Sequence, residues 1–155
     1  MGIVKENLKN VEGKVRETCI EKGIDYKNVT IVAVTKTVDT DIIKEAIDAG
    51  VTDIGENKVQ EIQRKYEDIK GLANVHMIGH LQSNKVRHII DKAKLIHSVD
   101  RISLMKEISK RAKAADIVSN ILIQVNVSGE ETKYGISIKE VEEFIKSSAK
   151  YDNIK

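Results

Sequence analysis

Lys36 is a candidate reactive residue, because it lies just after a short run of β-branched residues and at the start of a polar stretch. The run Val29–Val34 predicts a buried strand, and the two-residue period of a strand puts Val32, Val34 and Lys36 on one face. Against apolar neighbours the ammonium form of a lysine is destabilised, so the amine becomes a nucleophile toward carbonyl groups. The alternative is a lysine that extends from the strand end into water, and position alone favours that alternative.

Polar residues also follow the next two apolar runs. Glu56 and Asn57 come at the predicted start of a helix, where Glu56 suits the positive end of the helix dipole. Asn57 is placed either to cap that helix or to contact a ligand. The segment Ile78–Lys85 packs several polar groups directly after a strand, with Gly79 permitting a close approach of the backbone and His80 beside it.

We predict no metal site from the histidines, although His76 and His80 have the four-residue spacing of a metal-binding pair on a helix. Across a strand end the same spacing separates the two side chains by about 13 Å.

The later strand ends carry polar side chains as well. Ser98 and Asp100 follow the fourth run. Gln124 and Asn126 share one face of an otherwise apolar strand and therefore need hydrogen-bond partners. Those partners are either structural groups within a barrel or a ligand, and the sequence leaves both open. Lys133 lies in the polar loop that follows, where its reactivity toward aldehydes is also open.

The elements that position these residues alternate along the chain after a leading helix over residues 3–23. The predicted strands are Val29–Val34, Thr52–Ile54, Val75–Ile78, Leu95–His97 and Ile121–Val127. The predicted later helices are 39–50, 59–69, Ser83–Asp91, one capped by Asp100 that runs through Ala112, and one that starts at the capping box Ser137–Glu140 and ends near Tyr151. Asn153–Lys155 resembles the lead-in to another strand.

Such alternation predicts an α/β fold with a parallel sheet and helices outside it, either doubly wound or rolled into a barrel. The pattern does not decide between the two. Neither Gly-x-Gly-x-x-Gly after the first strand nor a Walker A sequence occurs, so the phosphate loops of the common nucleotide-binding folds are missing.

Composition narrows the function classes. A chain of 155 residues with 41% hydrophobic and 32% charged residues predicts a single globular domain over residues 1–155. A net charge of +2 with interleaved signs, one Phe and no Trp argues against nucleic-acid binding. Strand-length apolar runs argue against a membrane span, and the absence of a signal segment together with the single Cys19 predicts a cytoplasmic protein.

Five motifs in order resemble the pyridoxal phosphate homeostasis proteins, which are similar in fold to the barrel domain of alanine racemase. The motifs are Val32–Thr37, Ile54–Glu61, His76–Lys85, His97–Asp100, and Gln124–Ser128 with Lys133–Gly135. The third is long and specific, and together the motifs cover essentially the whole chain.

The resemblance implies that Lys36 holds pyridoxal 5'-phosphate as a Schiff base, with Asn57, His80, Ser98 and Asn126 as further cofactor-binding residues. The family is thought to hold and hand over this cofactor in intracellular homeostasis, and PLP-dependent apo-enzymes are the partners implied. No catalysed reaction is established for the family, so we expect a protein that is not an enzyme. The alternatives are a racemase-like or other Schiff-base enzyme that uses Lys36, and a truncated fragment that no longer binds the cofactor.

One departure from the family concerns the phosphate of the cofactor. Family members continue through three more strands, and the late segments Ser-Met-Gly-Met-Ser and Arg-x-Gly supply the phosphate cradle; neither occurs in residues 1–155. We therefore expect a C-terminally truncated TIM-type barrel with about five βα units. Retention of the cofactor is expected to be weak or absent, and the open edges of strands one and five are expected to favour self-association.

Overall fold

Five parallel strands alternate with helices behind a leading helix in the computed structural model, which describes residues 2–155. The strands are β1 (Val32–Val34), β2 (Asp53–Glu56), β3 (Asn74–Met77), β4 (Ala93–Val99) and β5 (Ile121–Ile123). The α-helices are α1 (Ile3–Lys22), α2 (Thr40–Asp48), α3 (Val59–Ile69), α4 (Ile102–Ala114) and α5 (Val141–Ser148). Short 3₁₀ helices occupy Tyr26–Asn28, Ser83–His88 and Ile138–Glu140.

The strand order decides between the two folds that the pattern allowed. The strands lie in the sheet in the order β1-β2-β3-β4-β5, and every neighbouring pair is parallel. Each crossover therefore moves one strand in the same direction, as in a barrel, whereas a doubly wound sheet reverses direction partway. The prediction of a parallel barrel with about five βα units is confirmed.

The core fills the space between the sheet and its helices. Ile54 and Ile96 point from the strands into this layer, where Ile43 of α2, Ile62 of α3 and Ile108 of α4 meet them, all at most 1% exposed. The other face of the sheet, which would line the inside of a barrel, is partly open. Val34 is 54% exposed and Leu122 is 48% exposed on the two outermost strands.

The strand boundaries differ from the predicted ones for local reasons. β1 begins at Val32 instead of Val29, because Tyr26–Asn28 form a 3₁₀ turn whose Tyr26 carbonyl accepts a hydrogen bond from the Val29 amide. β5 ends at Ile123 instead of Val127, and Val125 forms only an isolated bridge with Ile136. The predicted helix Ser83–Asp91 is a 3₁₀ helix that ends at His88.

The start of a sixth strand lies beside β5, as the sequence predicted for Asn153–Lys155. The Ile121 amide donates to the Lys155 carbonyl at 2.9 Å, and the Lys155 amide donates to the Ser119 carbonyl at 3.0 Å. The amino end of β5 is therefore paired, and the expectation of a fully open edge there is wrong for that part of the strand.

Two predicted helix starts have different outcomes. The capping box is confirmed, with the Glu140 carboxylate accepting from the Ser137 amide at 3.0 Å. The prediction that Asp100 caps α4 is wrong: Arg101 occupies the N-cap position without a side-chain cap, and Asp100 pairs with the Arg101 guanidinium instead. Within residues 2–155 no helix has both the length and the apolar character that crossing a membrane requires.

Candidate functional site

Lys36 lies in a tight turn just beyond the carboxyl end of β1. The Val38 amide donates to the Thr35 carbonyl at 3.1 Å, which closes a β-turn around Lys36 and Thr37. Thr37 has a φ of 63°, a left-handed conformation that is rare for a β-branched residue. Lys36 itself is exposed, so the predicted apolar surroundings of its amine are not found in the structure.

A buried network holds Thr35, the residue before Lys36. The Thr35 amide donates to the Gly55 carbonyl at 3.0 Å, and the Thr35 hydroxyl donates to Glu56 Oε1 at 2.7 Å. Lys65 Nζ, from α3, donates to the Thr35 carbonyl at 2.9 Å and to Glu56 Oε1 at 2.7 Å. The side chains of Lys65 and Glu56 are both 0% exposed, so this ion pair has no contact with solvent.

The role predicted for Glu56, an acid at a helix dipole, is wrong. Glu56 is the last residue of β2 and points behind the sheet with Ile54, as the two-residue period of the strand requires. The sequence contains a signal for its partner: Lys65 falls on the apolar stripe of α3 between Ile62 and Ile69, where a lysine must find an anion.

Asn57 and His80 line one cleft of about 600 Å³ between the loops that follow β2 and β3. The other lining residues are Lys58, Val59, Gln60, Glu61, Gln82 and Lys85. The two loops touch through Gly79, since a Cβ there would lie 2.3 Å from the Asn57 carbonyl oxygen. Gly79 therefore permits the close backbone approach that the sequence predicted, and it brings Asn57 and His80 into one cleft.

His80 also links its loop to the two that follow β4 and β5. Its ring stacks on Tyr134 with the centroids 3.9 Å apart, and its Nδ1 lies 3.5 Å from Asp100 Oδ2. Arg101 extends this contact, because its guanidinium donates to Asp100 Oδ1 at 2.6 Å and to the Leu81 carbonyl at 2.7 Å. Neither Arg101 nor Tyr134 was identified as a site residue from the sequence, since the contacts of Arg101 with Leu81 and of Tyr134 with His80 join residues at least 20 positions apart.

Ser98 is 1% exposed, and its hydroxyl oxygen has no hydrogen-bond partner among the described residues. An unpaired buried hydroxyl costs free energy, so such a group in a folded protein requires an explanation. Ser98 lies near the carboxyl end of β4, and a contact of its hydroxyl with a cofactor stays a prediction.

The Asn126 side chain forms hydrogen bonds with the backbone of the loop after β5. Its amide nitrogen donates to the carbonyls of Glu130 at 2.9 Å and Lys133 at 3.2 Å, and its side-chain oxygen accepts from the Gly129 amide at 3.0 Å. Gln124 likewise donates to the Tyr134 carbonyl at 3.2 Å. Of the two alternatives, these contacts favour structural hydrogen bonds, and a contact of Asn126 with a cofactor stays a prediction.

His76 takes part in a hydrogen-bond chain across three strands rather than in a metal pair with His80. Its Nε2 lies 2.9 Å from Asp53 Oδ1 on β2, and its Nδ1 lies 2.9 Å from His97 Nε2 on β4. This contact is a hydrogen bond when only one of the two nitrogens, His76 Nδ1 or His97 Nε2, carries a proton. If both nitrogens were protonated, two N–H donors would face each other without an acceptor. The chain joins the inner faces of neighbouring strands, and sequence reasoning did not find it.

The electrostatics of this chain follow from burial and hydrogen bonding. Burial lowers the pKa of His97, and the charge of His76 lowers this pKa further. Burial by itself would raise the pKa of Asp53. Hydrogen bonds from Thr52, His76 and Asn74 together outweigh burial, so the pKa of the Asp53 carboxyl lies below its ordinary value.

The family profile of the alanine racemase N-terminal domain matches residues 8–155. Among curated proteins, the pyridoxal phosphate homeostasis protein of Escherichia coli (strain K12) is 33% identical over 159 residues, an alignment that covers all of this chain and 68% of that protein. The chain belongs to this family. The resemblance predicted from the five motifs is confirmed.

Another family member, from Aquifex aeolicus (strain VF5), carries the same name and is 39% identical over 151 residues. That alignment covers 97% of this chain and 66% of the relative, so the chain spans about two thirds of the length of such family members.

Solved structures support the same fold assignment. A protein of unknown function from Bifidobacterium adolescentis superimposes with a TM-score of 0.89 at 32% identity, covering 98% of this chain and 66% of that one. PipY of Synechococcus elongatus PCC7942, in a crystal structure with PLP bound, superimposes with a TM-score of 0.75 at 24% identity. This second likeness covers 90% of this chain and 65% of PipY, and it concerns the fold.

The carboxyl ends of the strands offer part of what a phosphorylated aldehyde needs. Lys36 supplies an exposed amine, and none of the ion pairs found in residues 2–155 involves it. The unpaired Ser98 hydroxyl and the cleft of Asn57 and His80 add polar groups at the same end of the sheet. Of these groups, the Lys36 amine is the one that can condense with an aldehyde.

Proposed function

We propose that this chain binds pyridoxal 5'-phosphate through a Schiff base on Lys36 and takes part in the intracellular homeostasis of that cofactor. When bound, the cofactor offers an aldehyde that condenses with an amine. Lys36 provides the amine, and Asn57, His80 and Ser98 are proposed to surround it. Asn126 is proposed to hold the neighbouring loop and in that way to shape the same site.

The observation that carries the proposal is the position of Lys36 in a closed turn at the carboxyl end of a parallel strand. In barrels of this type the functional groups collect at that end of the strands. The amine is accessible and outside the ion pairs described above, whereas Lys65 is fully buried and Lys133 pairs with Glu130. Membership of a family whose curated members are named for pyridoxal phosphate homeostasis supports the identity of the ligand.

We infer a role in holding the cofactor, because the names of the relatives refer to homeostasis and not to a reaction. An exposed lysine favours exchange of the bound aldehyde with solution, since water reaches the bond between them. Transfer to PLP-dependent apo-enzymes is the partner interaction that this role implies. Because residues 1–155 correspond to about two thirds of a relative, we expect weaker retention here than in a longer family member.

The test is reductive labelling. Pyridoxal 5'-phosphate is added to the 155-residue chain, the bound aldehyde is reduced with borohydride, and the labelled peptides are mapped by mass spectrometry. We expect the label to concentrate on Lys36 and the visible absorbance to disappear in Lys36→Ala.

Lys94→Ala is the matched control. Lys94 is also exposed, but it lies near the amino end of β4, at the opposite end of the sheet. This variant should keep the absorbance and the label on Lys36. Label spread evenly over the lysines, with the same absorbance in Lys36→Ala, would refute the proposal.

A further inference from the structure

The buried ion pair between Lys65 and Glu56 directs its hydrogen bonds at the residue that precedes Lys36. The carbonyl that joins Thr35 to Lys36 accepts from two donors, the Lys65 ammonium at 2.9 Å and the Val38 amide at 3.1 Å. The same Thr35 donates its hydroxyl to Glu56 at 2.7 Å. The peptide group on the amino side of Lys36 is thus fixed from α3, from β2 and from within the turn.

The turn needs such support. Thr37 adopts a φ of 63°, a left-handed conformation that is strained for a β-branched residue. A strained conformation persists only where the surrounding structure over-determines it. Within residues 2–155 the only groups recorded on the Thr35 carbonyl are the Val38 amide, which the turn itself supplies, and the Lys65 ammonium, which comes from outside it.

The ion pair is poorly suited to a purely stabilising role. Glu56 Oε2 is buried and has no hydrogen-bond partner in the part of the chain that is described. Buried ion pairs that are incompletely satisfied contribute little compared with apolar residues of the same size. An apolar pair would fill the space behind the sheet, but it would leave the Thr35 carbonyl without its second donor.

We propose that Lys65, held by Glu56, is a positioning residue for Lys36. The ammonium of the buried lysine fixes the turn from which the exposed lysine extends, so that the amine of Lys36 samples a narrow region in front of the strand ends. This inference rests on the proposed function, because it assigns Lys65 to the site in which Lys36 binds the aldehyde.

The experiment compares labelling of Lys36 with the order of the turn, using the 155-residue chain and pyridoxal 5'-phosphate. The first variant is Lys65→Met. This variant leaves a charged Glu56 buried without its partner, which disfavours folding. The second variant therefore combines Glu56→Gln with Lys65→Met, which removes both charges. In both we expect borohydride label on Lys36, relative to the other lysines, to fall about tenfold or more, as displacement of a reacting group commonly does.

Two readouts separate positioning from general stability. The visible circular dichroism of the bound chromophore requires a fixed amine and should be lost in the double variant. Hydrogen exchange of the Val38 amide reports the turn without any cofactor, and we expect it to accelerate about tenfold, since that hydrogen bond closes the turn.

Two variants of α3 are the controls. Asp68→Asn removes the exposed ion pair with Lys44, and Ile69→Val loosens the buried face of the same helix. Neither residue contacts Thr35 among the recorded hydrogen bonds, so both should keep label selectivity, dichroism and Val38 protection. If Ile69→Val at equal loss of stability lowers label selectivity as much as the double variant, positioning by Lys65 is refuted.

The outcomes distinguish the two proposals. If the parent chain labels Lys36 selectively and the folded double variant does so equally, with unchanged Val38 exchange, the positioning role fails and the proposed function stands. If the parent chain shows no preference for Lys36, the proposed function fails, and the positioning role toward a cofactor fails with it. Accelerated Val38 exchange in that case would still show that Lys65 orders the turn.

Discussion

Removing the charge of Lys65 should destabilise the protein far more than the loss of an ordinary lysine. Both partners of the ion pair are 0% exposed, and Lys65 Nζ donates at 2.7 Å to Glu56 and at 2.9 Å to Thr35. The same ammonium lies 3.1 Å from Oε2 of the partly exposed Glu61. In Lys65→Met the side chain still fills the space, but the Glu56 carboxylate keeps only the Thr35 hydroxyl as a donor. An uncompensated buried charge of this kind costs about 3–5 kcal/mol.

Removing both charges should cost much less. In the variant that combines Glu56→Gln with Lys65→Met, the glutamine oxygen still accepts from the Thr35 hydroxyl, and no charge is left in the core. The remaining losses are the bond to the Thr35 carbonyl, worth about 1–2 kcal/mol, and the contact with Glu61, a partly exposed carboxylate that keeps Arg64 as its partner. The double variant should therefore regain about 2 kcal/mol relative to Lys65→Met, and this coupling measures the pair.

Urea unfolding followed by circular dichroism is the assay. With a dependence of about 2 kcal/mol per molar urea, Lys65→Met should lower the unfolding midpoint by about 2 M. Asp68→Asn is the control on the same helix; because Asp68 and its partner Lys44 are both exposed, the change should stay below about 1 kcal/mol. A cost below about 1 kcal/mol for Lys65→Met, or a double variant as unstable as the single one, would show that the buried pair is not coupled.

Two further predictions concern other parts of the sheet. Because the pKa of His97 lies below its ordinary value of 6.5, the unfolded chain takes up this proton first, and the unfolding free energy should decrease as the pH falls below 6.5. His97→Gln should flatten that part of a pH series of urea unfolding curves, and an unchanged slope would contradict the assignment. Gly79→Ala should destabilise the protein by about 1–3 kcal/mol, because the new Cβ would lie 2.3 Å from the Asn57 carbonyl oxygen. Its control is Gly13→Ala in α1, where no described atom lies within 4 Å of the added Cβ and a gain of about 1 kcal/mol is expected in thermal melts; equal effects of the two changes would contradict the close approach.

The order of elements could be predicted from the sequence because alternating apolar runs and helical stripes are local signals. All five strands form near the predicted positions, and even the lead-in at Asn153–Lys155 pairs as expected. The choice between a barrel and a doubly wound sheet could not be made in this way. Strand order depends on which strands lie side by side, and periodicity carries no information on that.

The boundaries failed where a local hydrogen bond competes with the sheet. The Val29 amide donates to the Tyr26 carbonyl in a local turn. The strand therefore begins only at Val32, although the β-branched run starts at Val29. Beyond Ile123 the Gln124 amide bonds Val99, but the Ile136 amide takes the Gln124 carbonyl, and the loop replaces the strand. Both changes arise from hydrogen bonds within or between loops, and the strand propensity of a residue carries no information on such bonds.

The site was predicted in part. The strand-end positions of Lys36, Asn57 and His80 follow from the alternation, and the structure brings Asn57 and His80 into one cleft. Their surroundings do not follow. Lys65 bonds Thr35 from 30 positions away and His97 bonds His76 from 21 positions away, so neither contact leaves a pattern in a single sequence.

In the proposed site, Lys36 and Lys65 have different roles. A reactive lysine is usually explained by burial, which disfavours its charge, but Lys36 is exposed and Lys65 is buried. The buried Lys65 orders the backbone instead, because its ammonium donates to the Thr35 carbonyl and so fixes the turn from which Lys36 extends. Orientation can raise the reactivity of an exposed amine, since holding a nucleophile in place removes much of the entropic cost of its reaction. On this reasoning, a change at Lys65 should lower the share of label found on Lys36 while leaving the amine of Lys36 exposed.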